Sequence, residues 1–288
     1  MTTFAVLALF ALYSPPPPPK MEPCRLPGLE REALCGTAAM SENRVTGKGL
    51  IHLRVAIIPA AATPREPDPV VYFEGGPGGS AVESGPGLIE ELPEALRNRD
   101  LILVDIRGIG TLRCPRAKEE ILESFMDPAR VRSCREALAQ DHDLTQYTTE
   151  TIVDDVHEIV SRLGYTRVNL LGASYGTRAA LVYLRRHPEI VRTVHLHAVL
   201  PVDGRVPMHL APHTEASFDR MAAECAAEPA CRAAFPDPKG DLLAILKRLE
   251  TGPVSGLTRN GAATTVRYLL YRPTGARMLP LLLRRAAS

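Results

Sequence analysis

The sequence has no tryptophan, few aromatic residues and no long apolar run, and these absences exclude whole classes of protein. Aromatic residues make up 5% of the 288 residues. No apolar stretch approaches the roughly 20 residues of a transmembrane helix, so we expect no membrane span. The net charge of +1, from 34 basic and 33 acidic side chains, indicates no general affinity for nucleic acid. Apolar residues reach 45%, which is enough for a sizeable core.

The cysteines lack the C-x-x-C spacing of zinc sites and redox centres. They fall into couples that are close in sequence: Cys24 with Cys35, Cys114 with Cys134, and Cys225 with Cys231. Close couples are typical of short-loop disulfides in an oxidising compartment. We therefore expect these pairings, with other connectivities open, in a secreted or cell-envelope protein. No group of His, Cys, Asp and Glu has metal-ligand spacing, so we predict no metal and no cofactor.

The first 20 residues are a candidate export segment and spacer. The run from Phe4 to Tyr13 is about as long as the apolar part of a signal peptide. Pro15 to Pro19 then forms a stiff polyproline segment. A basic leader and a convincing cleavage site are missing. A disordered or wrongly assigned start is therefore an equal alternative, and with it a cytoplasmic location.

Short apolar strands alternate with helices between residues 21 and 203. Strands are predicted at 49–58, 70–73, 101–104, 168–171 and 191–199. Helices are predicted at 88–97, 116–125, 129–139, 149–163 and 175–186. This alternation indicates a mostly parallel sheet with helices on both faces. From 204 to 288 the sequence predicts a helical region without a strong strand, with helices at 213–227, 240–250 and 276–286.

A nucleophile elbow is predicted at Gly172-Ala173-Ser174-Tyr175-Gly176. The G-x-S-x-G motif follows a strand and opens a helix, which is the context that it requires. The turn holds the hydroxyl of Ser174 clear of the sheet, at a helix N-terminus. We predict that Ser174 is a catalytic nucleophile. The structural alternative is a glycine-rich turn with an idle serine.

A second glycine-rich turn, Glu74 to Ser80, follows the strand at 70–73. Acyl transfer places negative charge on the carbonyl oxygen, and backbone N–H groups must be ready to stabilise it. We assign this role to the N–H groups of Gly76 and Tyr175. A phosphate-binding loop is the weaker alternative, because the lysine of that motif is missing. A plain tight turn is the other.

Together these motifs resemble the serine aminopeptidases of the α/β-hydrolase fold, in the proline iminopeptidase and tripeptidyl aminopeptidase-like branch. The matching segments are 75–80, 104–110 with Cys114-Pro115, 172–178, 183–189, and the Cys225/Cys231 couple before Phe235-Pro236. The resemblance implies an α/β-hydrolase fold with a helical lid, in a secreted or envelope enzyme. Such enzymes release N-terminal residues or short peptides from peptide substrates. Ile106, Glu74 and His197 depart from the residues usual in the family.

The resemblance also implies an acid and a histidine that follow the nucleophile in sequence. In this family both lie on strands beyond the lid, whereas this chain stops within the lid region. We therefore expect a fragment with a partial lid at 204–288, without the last core strands, the acid and the histidine. A non-catalytic binding protein on the same scaffold, an esterase or amidase, and an unstable fragment all stay open. No feature indicates an oligomeric state.

Other polar residues near the motifs are expected to be structural. We place His187 on the surface at a helix end, and His195 and His197 as packed or half-buried residues on one face of a strand. His209 and His213 lie at the lid entry, where sequence does not place them. Asp105 precedes the serine on a different strand, and we expect a structural interaction between Asp105 and Arg107.

Overall fold

The computed structural model describes residues 17–114, 128–206 and 208–288. Seven strands occupy Glu22–Cys24 (β1), Ala33–Ser41 (β2), Leu50–Ile58 (β3), Val70–Phe73 (β4), Leu101–Val104 (β5), Val168–Ala173 (β6) and Val191–His197 (β7). They form one sheet in the order β1-β2-β3-β5-β4-β6-β7. Pairings from β5 through β4 and β6 to β7 are parallel, whereas those among β1, β2, β3 and β5 are antiparallel. The sheet is therefore mixed, because β1 and β2, which the sequence analysis did not identify, add antiparallel pairs.

Eleven helices are found in the described residues. They are Ala81–Ser84 (α1), Leu88–Glu91 (α2), Pro93–Leu96 (α3), Pro128–Leu138 (α4), Thr149–Arg162 (α5), Tyr175–Arg186 (α6), Leu210–Ala227 (α7), Pro229–Ala234 (α8), Pro238–Arg248 (α9), Arg259–Leu269 (α10) and Pro273–Ala287 (α11). The helix predicted at 88–97 is split, because Pro93 cannot continue the helix that precedes it. The helix predicted at 116–125 and the apolar run at 4–13 lie outside the described residues. No described helix has the length and apolar character to cross a membrane.

The chain divides into two compact units. One comprises the residues up to Arg113 together with Leu138–Val202, and it contains the whole sheet. The other comprises Cys114–Ala137 and Asp203–Ser288, and the elements found in its described residues are helices. In the helical unit, α7, α9, α10 and α11 surround a core whose buried residues include Phe218, Met221, Ile245 and Leu279.

Alternating side chains of the central strands build two apolar layers in the sheet unit. Val71 and Phe73 of β4 pack on the face covered by α5 and α6. Val70 and Tyr72 pack on the opposite face, with residues of α1 and α3. Helix α5 fits its layer because Ile152, Val153, Val156, Ile159 and Val160 are all buried. Its first turn is capped by the hydroxyl of Thr148, which accepts the Thr151 N–H at 3.3 Å.

The predicted cysteine couples are confirmed as disulfides. The Cys24–Cys35 bond joins β1 to β2 within the sheet unit. The Cys114–Cys134 bond and the Cys225–Cys231 bond lie within the helical unit, and the latter joins the end of α7 to α8. Each bond therefore constrains one unit internally.

Candidate active site

The elbow at Ser174 joins β6 directly to α6. Ser174 has φ 53° and ψ −117°, a backbone conformation that residues other than glycine rarely adopt. A Cβ on Gly172 would lie 2.5 Å from the carbonyl oxygen of Gly176, and a Cβ on Gly176 would overlap the carbonyl oxygen of Phe73. Both flanking glycines are thus required, because strand and helix approach too closely for any side chain.

Two contacts from the segment that ends β7 hold the elbow in place. The N–H of Ser174 donates to the carbonyl oxygen of His197 at 2.9 Å. The buried hydroxyl of Thr177 donates to the Ser174 carbonyl oxygen at 2.6 Å and accepts the N–H of Leu200 at 2.8 Å. The strained backbone of Ser174 is therefore fixed from both sides.

The glycine loop after β4 lies against Ser174. A Cβ on Gly75 would lie 3.2 Å from Ser174 Cβ and 3.8 Å from Ser174 Oγ. Gly76 has a φ of 116°, in the region that favours glycine, and its bond to Pro77 is cis. The N–H of Gly79 donates to the Gly75 carbonyl oxygen at 3.2 Å and closes the loop. The two turns that sequence analysis singled out are thus brought together.

Glu74 lies at the start of this loop, directly after β4. Its carboxylate accepts the Gly75 N–H at 2.5 Å and the Tyr72 hydroxyl at 3.0 Å. The Ser84 hydroxyl also donates to it. Burial and the neighbouring Glu74 charge raise the pKa of Tyr72, so its hydroxyl stays a proton donor. The sequence marks Glu74 only as a departure from the residues usual in the family, because its hydrogen-bond donors are brought to it by tertiary structure.

An open cavity of about 550 Å³ borders the loop and the elbow. Its lining includes Gly78, Leu112, Tyr147, Thr149 and Tyr175. The Tyr175 side chain is buried, and its hydroxyl lies 3.0 Å from Thr149 Oγ1. Burial raises the pKa of Tyr175. The cavity lies among loops that follow parallel strands, where ligands of α/β proteins usually bind.

The prediction that Asp105 interacts with Arg107 is wrong, because each residue binds a different partner. Asp105 accepts Arg54 Nε at 2.7 Å and the Ser80 hydroxyl at 2.8 Å. Arg107 donates to Asp155 from Nε at 2.7 Å and from Nη2 at 2.9 Å. These partners lie on other elements, so both residues are structural in a way that local sequence cannot show.

The histidines also differ from expectation. His195 and His197 are exposed, and not packed or half-buried, because β7 is the edge of the described sheet. His187 is half-buried, and not on the surface, because its Nε2 lies 2.9 Å from Asp154 Oδ1 and its ring stacks on His157. His209 and His213 are exposed in the helical unit. Within the described residues, no histidine ring is hydrogen-bonded to Ser174 Oγ.

One group in the described part of the chain has the composition of a metal site: His157, His187 and Glu189. Their ligand atoms lie within 4.8 Å of one another. However, the two imidazole rings stack with centroids 3.7 Å apart and planes 2° apart. Nitrogen lone pairs lie in the ring plane, so those of parallel rings do not converge on one ion. Burial and the adjacent His187 lower the pKa of His157.

Comparisons with known proteins agree with the fold. A family model described as alpha/beta hydrolase fold matches residues 68–234, more than half of the chain. The chain is 26% identical over 247 residues to the serine protease Hip1 of Mycobacterium tuberculosis, covering 74% of this chain and 46% of Hip1. It is 27% identical over 131 residues to the proline iminopeptidase of Neisseria gonorrhoeae, covering 46% of this chain and 32% of that protein.

Among solved structures, the chain resembles MGS-M2, an alpha/beta hydrolase enzyme from a deep-sea metagenome library. The TM-score is 0.35 at 13% identity, covering 82% of this chain and 69% of MGS-M2. The match covers 46% of Hip1, so this chain spans about half the length of that relative.

Proposed function

Because the chain belongs to the α/β-hydrolase fold family, we propose that it carries the nucleophilic part of a serine hydrolase site for peptide substrates. Ser174 Oγ attacks the carbonyl carbon of the scissile bond, and its proton passes to a base. The amine leaves with a proton, and water then releases the acyl group from Ser174. The N–H groups of Gly76 and Tyr175 stabilise the oxyanion.

The observation that carries this proposal is the strained backbone of Ser174 at a strand-to-helix turn. Such strain is retained where the hydroxyl must stand clear of the sheet. The oxyanion assignment is supported by the contact of Gly75 with Ser174. It is also supported by the Gly75 N–H, which is engaged by Glu74. That engagement leaves the next residue, Gly76, as our choice of donor.

The peptide substrate is supported by the names of the relatives, a serine protease and a proline iminopeptidase. We propose that this chain is part of a longer parent protein, and that the parent protein releases N-terminal residues or short peptides from its substrates. We propose that the acid and the histidine are supplied by a part of the parent protein outside this chain. Three disulfides support a secreted or envelope location over a cytoplasmic one.

Labelling with a fluorophosphonate probe tests the nucleophile. We expect labelling of the parent protein, which supplies the base, to be lost in Ser174→Ala and kept in Ser161→Ala, a control at an exposed serine of α5. Labelling that survives in Ser174→Ala would contradict the assignment. For the substrate, the parent protein is assayed on aminoacyl and tripeptidyl amides and on simple esters. Turnover of esters alone would refute the peptidase proposal.

A second candidate is a non-catalytic binding protein on the hydrolase scaffold. It is favoured by one observation: in the described residues, Ser174 Oγ has no histidine partner. A parent protein that is folded by circular dichroism, yet resists the probe at every pH tested, would support this candidate over an active hydrolase.

A further inference from the structure

Glu74 is an unusual residue to find beside a site that must stabilise negative charge. It lies between the last residue of β4 and the glycine loop, where its carboxylate accepts three donors, one from the backbone of the loop itself. Hydrogen bonds to an ionised acceptor are stronger than those between neutral groups. The carboxylate is therefore a firm anchor for the start of the loop.

The loop also packs against the stem of Glu74. A Cβ on Gly79 would lie 2.5 Å from Glu74 Cγ, so the end of the loop has room for no side chain there. Because Gly79 in turn donates to the Gly75 carbonyl oxygen, Glu74 contacts both ends of the Gly75–Gly79 segment. Gly75, at the start of this segment, contacts Ser174.

We propose that Glu74 is a positioning residue that holds the Gly75–Gly79 loop in the conformation that presents its backbone to Ser174. This inference rests on the proposed function, since it assumes that the loop stabilises the oxyanion. This role requires no contact between Glu74 and the substrate. Glu74 acts through the backbone of Gly75, and the hydroxyls of Tyr72 and Ser84 hold its second oxygen.

The role makes opposite predictions for two substitutions. Glu74→Ala removes the anchor, and a displacement of about 1 Å at a reacting site slows a reaction about 100-fold. We expect the fluorophosphonate labelling rate of the parent protein to fall by about 10- to 100-fold. Glu74→Gln keeps an oxygen for the Gly75 N–H, and the two hydroxyls can turn to accept from its NH₂ group. We expect its rate to stay within about threefold of the unsubstituted parent protein or to rise, because a negative charge is removed from the oxyanion site.

Hydrogen exchange of the peptide containing Gly75–Gly79 gives a readout that is independent of activity. It should be faster in Glu74→Ala than in the original chain, and unchanged in Glu74→Gln. Tyr72→Phe removes one donor to Glu74 and should give a smaller increase. Glu94→Ala, at an exposed position of α3, is the matched control for loss of a glutamate.

The outcomes separate this inference from the proposed function. If the unsubstituted parent protein is not labelled, the proposed activity fails, and the exchange data alone decide whether Glu74 holds the loop. If the parent protein is labelled and Glu74→Ala reacts and exchanges at the original rate, the positioning role is refuted. Equal slowing in Glu74→Ala and Glu74→Gln with unchanged exchange would refute it too, because charge and not position would then be responsible.

Discussion

The buried ion pair between Arg107 and Asp155 allows a sharp test of what holds the sheet unit together. The Arg107 side chain is 0% exposed and the Asp155 side chain 1% exposed. Arg107 also donates through Nη1 to the carbonyl oxygens of Glu42 at 2.7 Å and Gln146 at 3.0 Å. One guanidinium thereby connects the end of β2, the segment before α5, and α5 itself.

Replacing Arg107 by methionine keeps much of the side-chain volume and removes the charge. Removing one partner of a buried pair costs about 3–5 kcal/mol, because the other charge is left buried. Asp155 retains Arg44 at 2.8 Å, but the Arg44 side chain is 31% exposed and is a weaker substitute. The carbonyl oxygens of Glu42 and Gln146 lose a donor as well. We therefore expect a loss of about 4 kcal/mol in the free energy of unfolding.

The measurement is urea unfolding at pH 7, compared at constant m-value. The double variant Arg107→Met/Asp155→Leu should lose less than the sum of the two single variants, because neither charge is then left alone. Arg186→Met is the matched control, since the Arg186–Asp154 pair is exposed by 39% and 19%. It should cost about 1 kcal/mol or less. A loss below about 1 kcal/mol in Arg107→Met would refute the reasoning.

Gly176→Ala should abolish both probe labelling and cooperative unfolding, because its Cβ would overlap the carbonyl oxygen of Phe73. Gly87→Ala, where a Cβ meets nothing within 4 Å, should be neutral or stabilise the fold by about 0.4–1 kcal/mol. A stably folded Gly176→Ala variant would contradict the packing at the elbow. Hydrogen bonds from its arginine and asparagine neighbours outweigh burial and lower the pKa of Asp68. The unfolded chain then binds more protons than the folded chain in this pH range. We expect Asp68→Asn to be less stable than the original chain above about pH 4, and this difference to disappear as pH falls further. A difference in unfolding free energy that does not change with pH would contradict this. Replacing Cys24 and Cys35 by serine should lower stability by about 2–4 kcal/mol, and any free thiol in the unreduced, denatured chain would contradict the three pairings.

Parts of the fold could be predicted because the signals are local. The strands at 70–73 and 101–104 are continuous apolar runs bounded by proline, glutamate or aspartate, and the structure has the same bounds. Helix α6 was bounded correctly for a similar reason, since the elbow marks its start. Strand β2 could not be predicted from the sequence, because Ala33–Ser41 is rich in small residues and has no alternation of β-branched residues. Its strand conformation is set by pairing with β3.

The site could be predicted only as motifs. G-x-S-x-G and the glycine loop are contiguous, and the structure brings them into contact. The partners of Asp105 and Arg107 could not be predicted, because they lie 51 and 48 residues away in the chain. The same holds for His187, whose partner Asp154 is 33 residues away. Pairings at this separation are set by how α5 and β3 pack, which no local pattern encodes.

The two contacts that hold the elbow set an order of events when the chain is made on the ribosome. Ser174 emerges first, while Leu200 follows Thr177 by 23 residues. At about 5–20 residues per second, that interval lasts about 1–5 s. Throughout it, the nascent chain lacks the donor at Leu200, and for all but its last residues it also lacks the acceptor at His197. The full set of contacts that hold the strained turn can therefore form only after β7 and the segment that follows it have been synthesised.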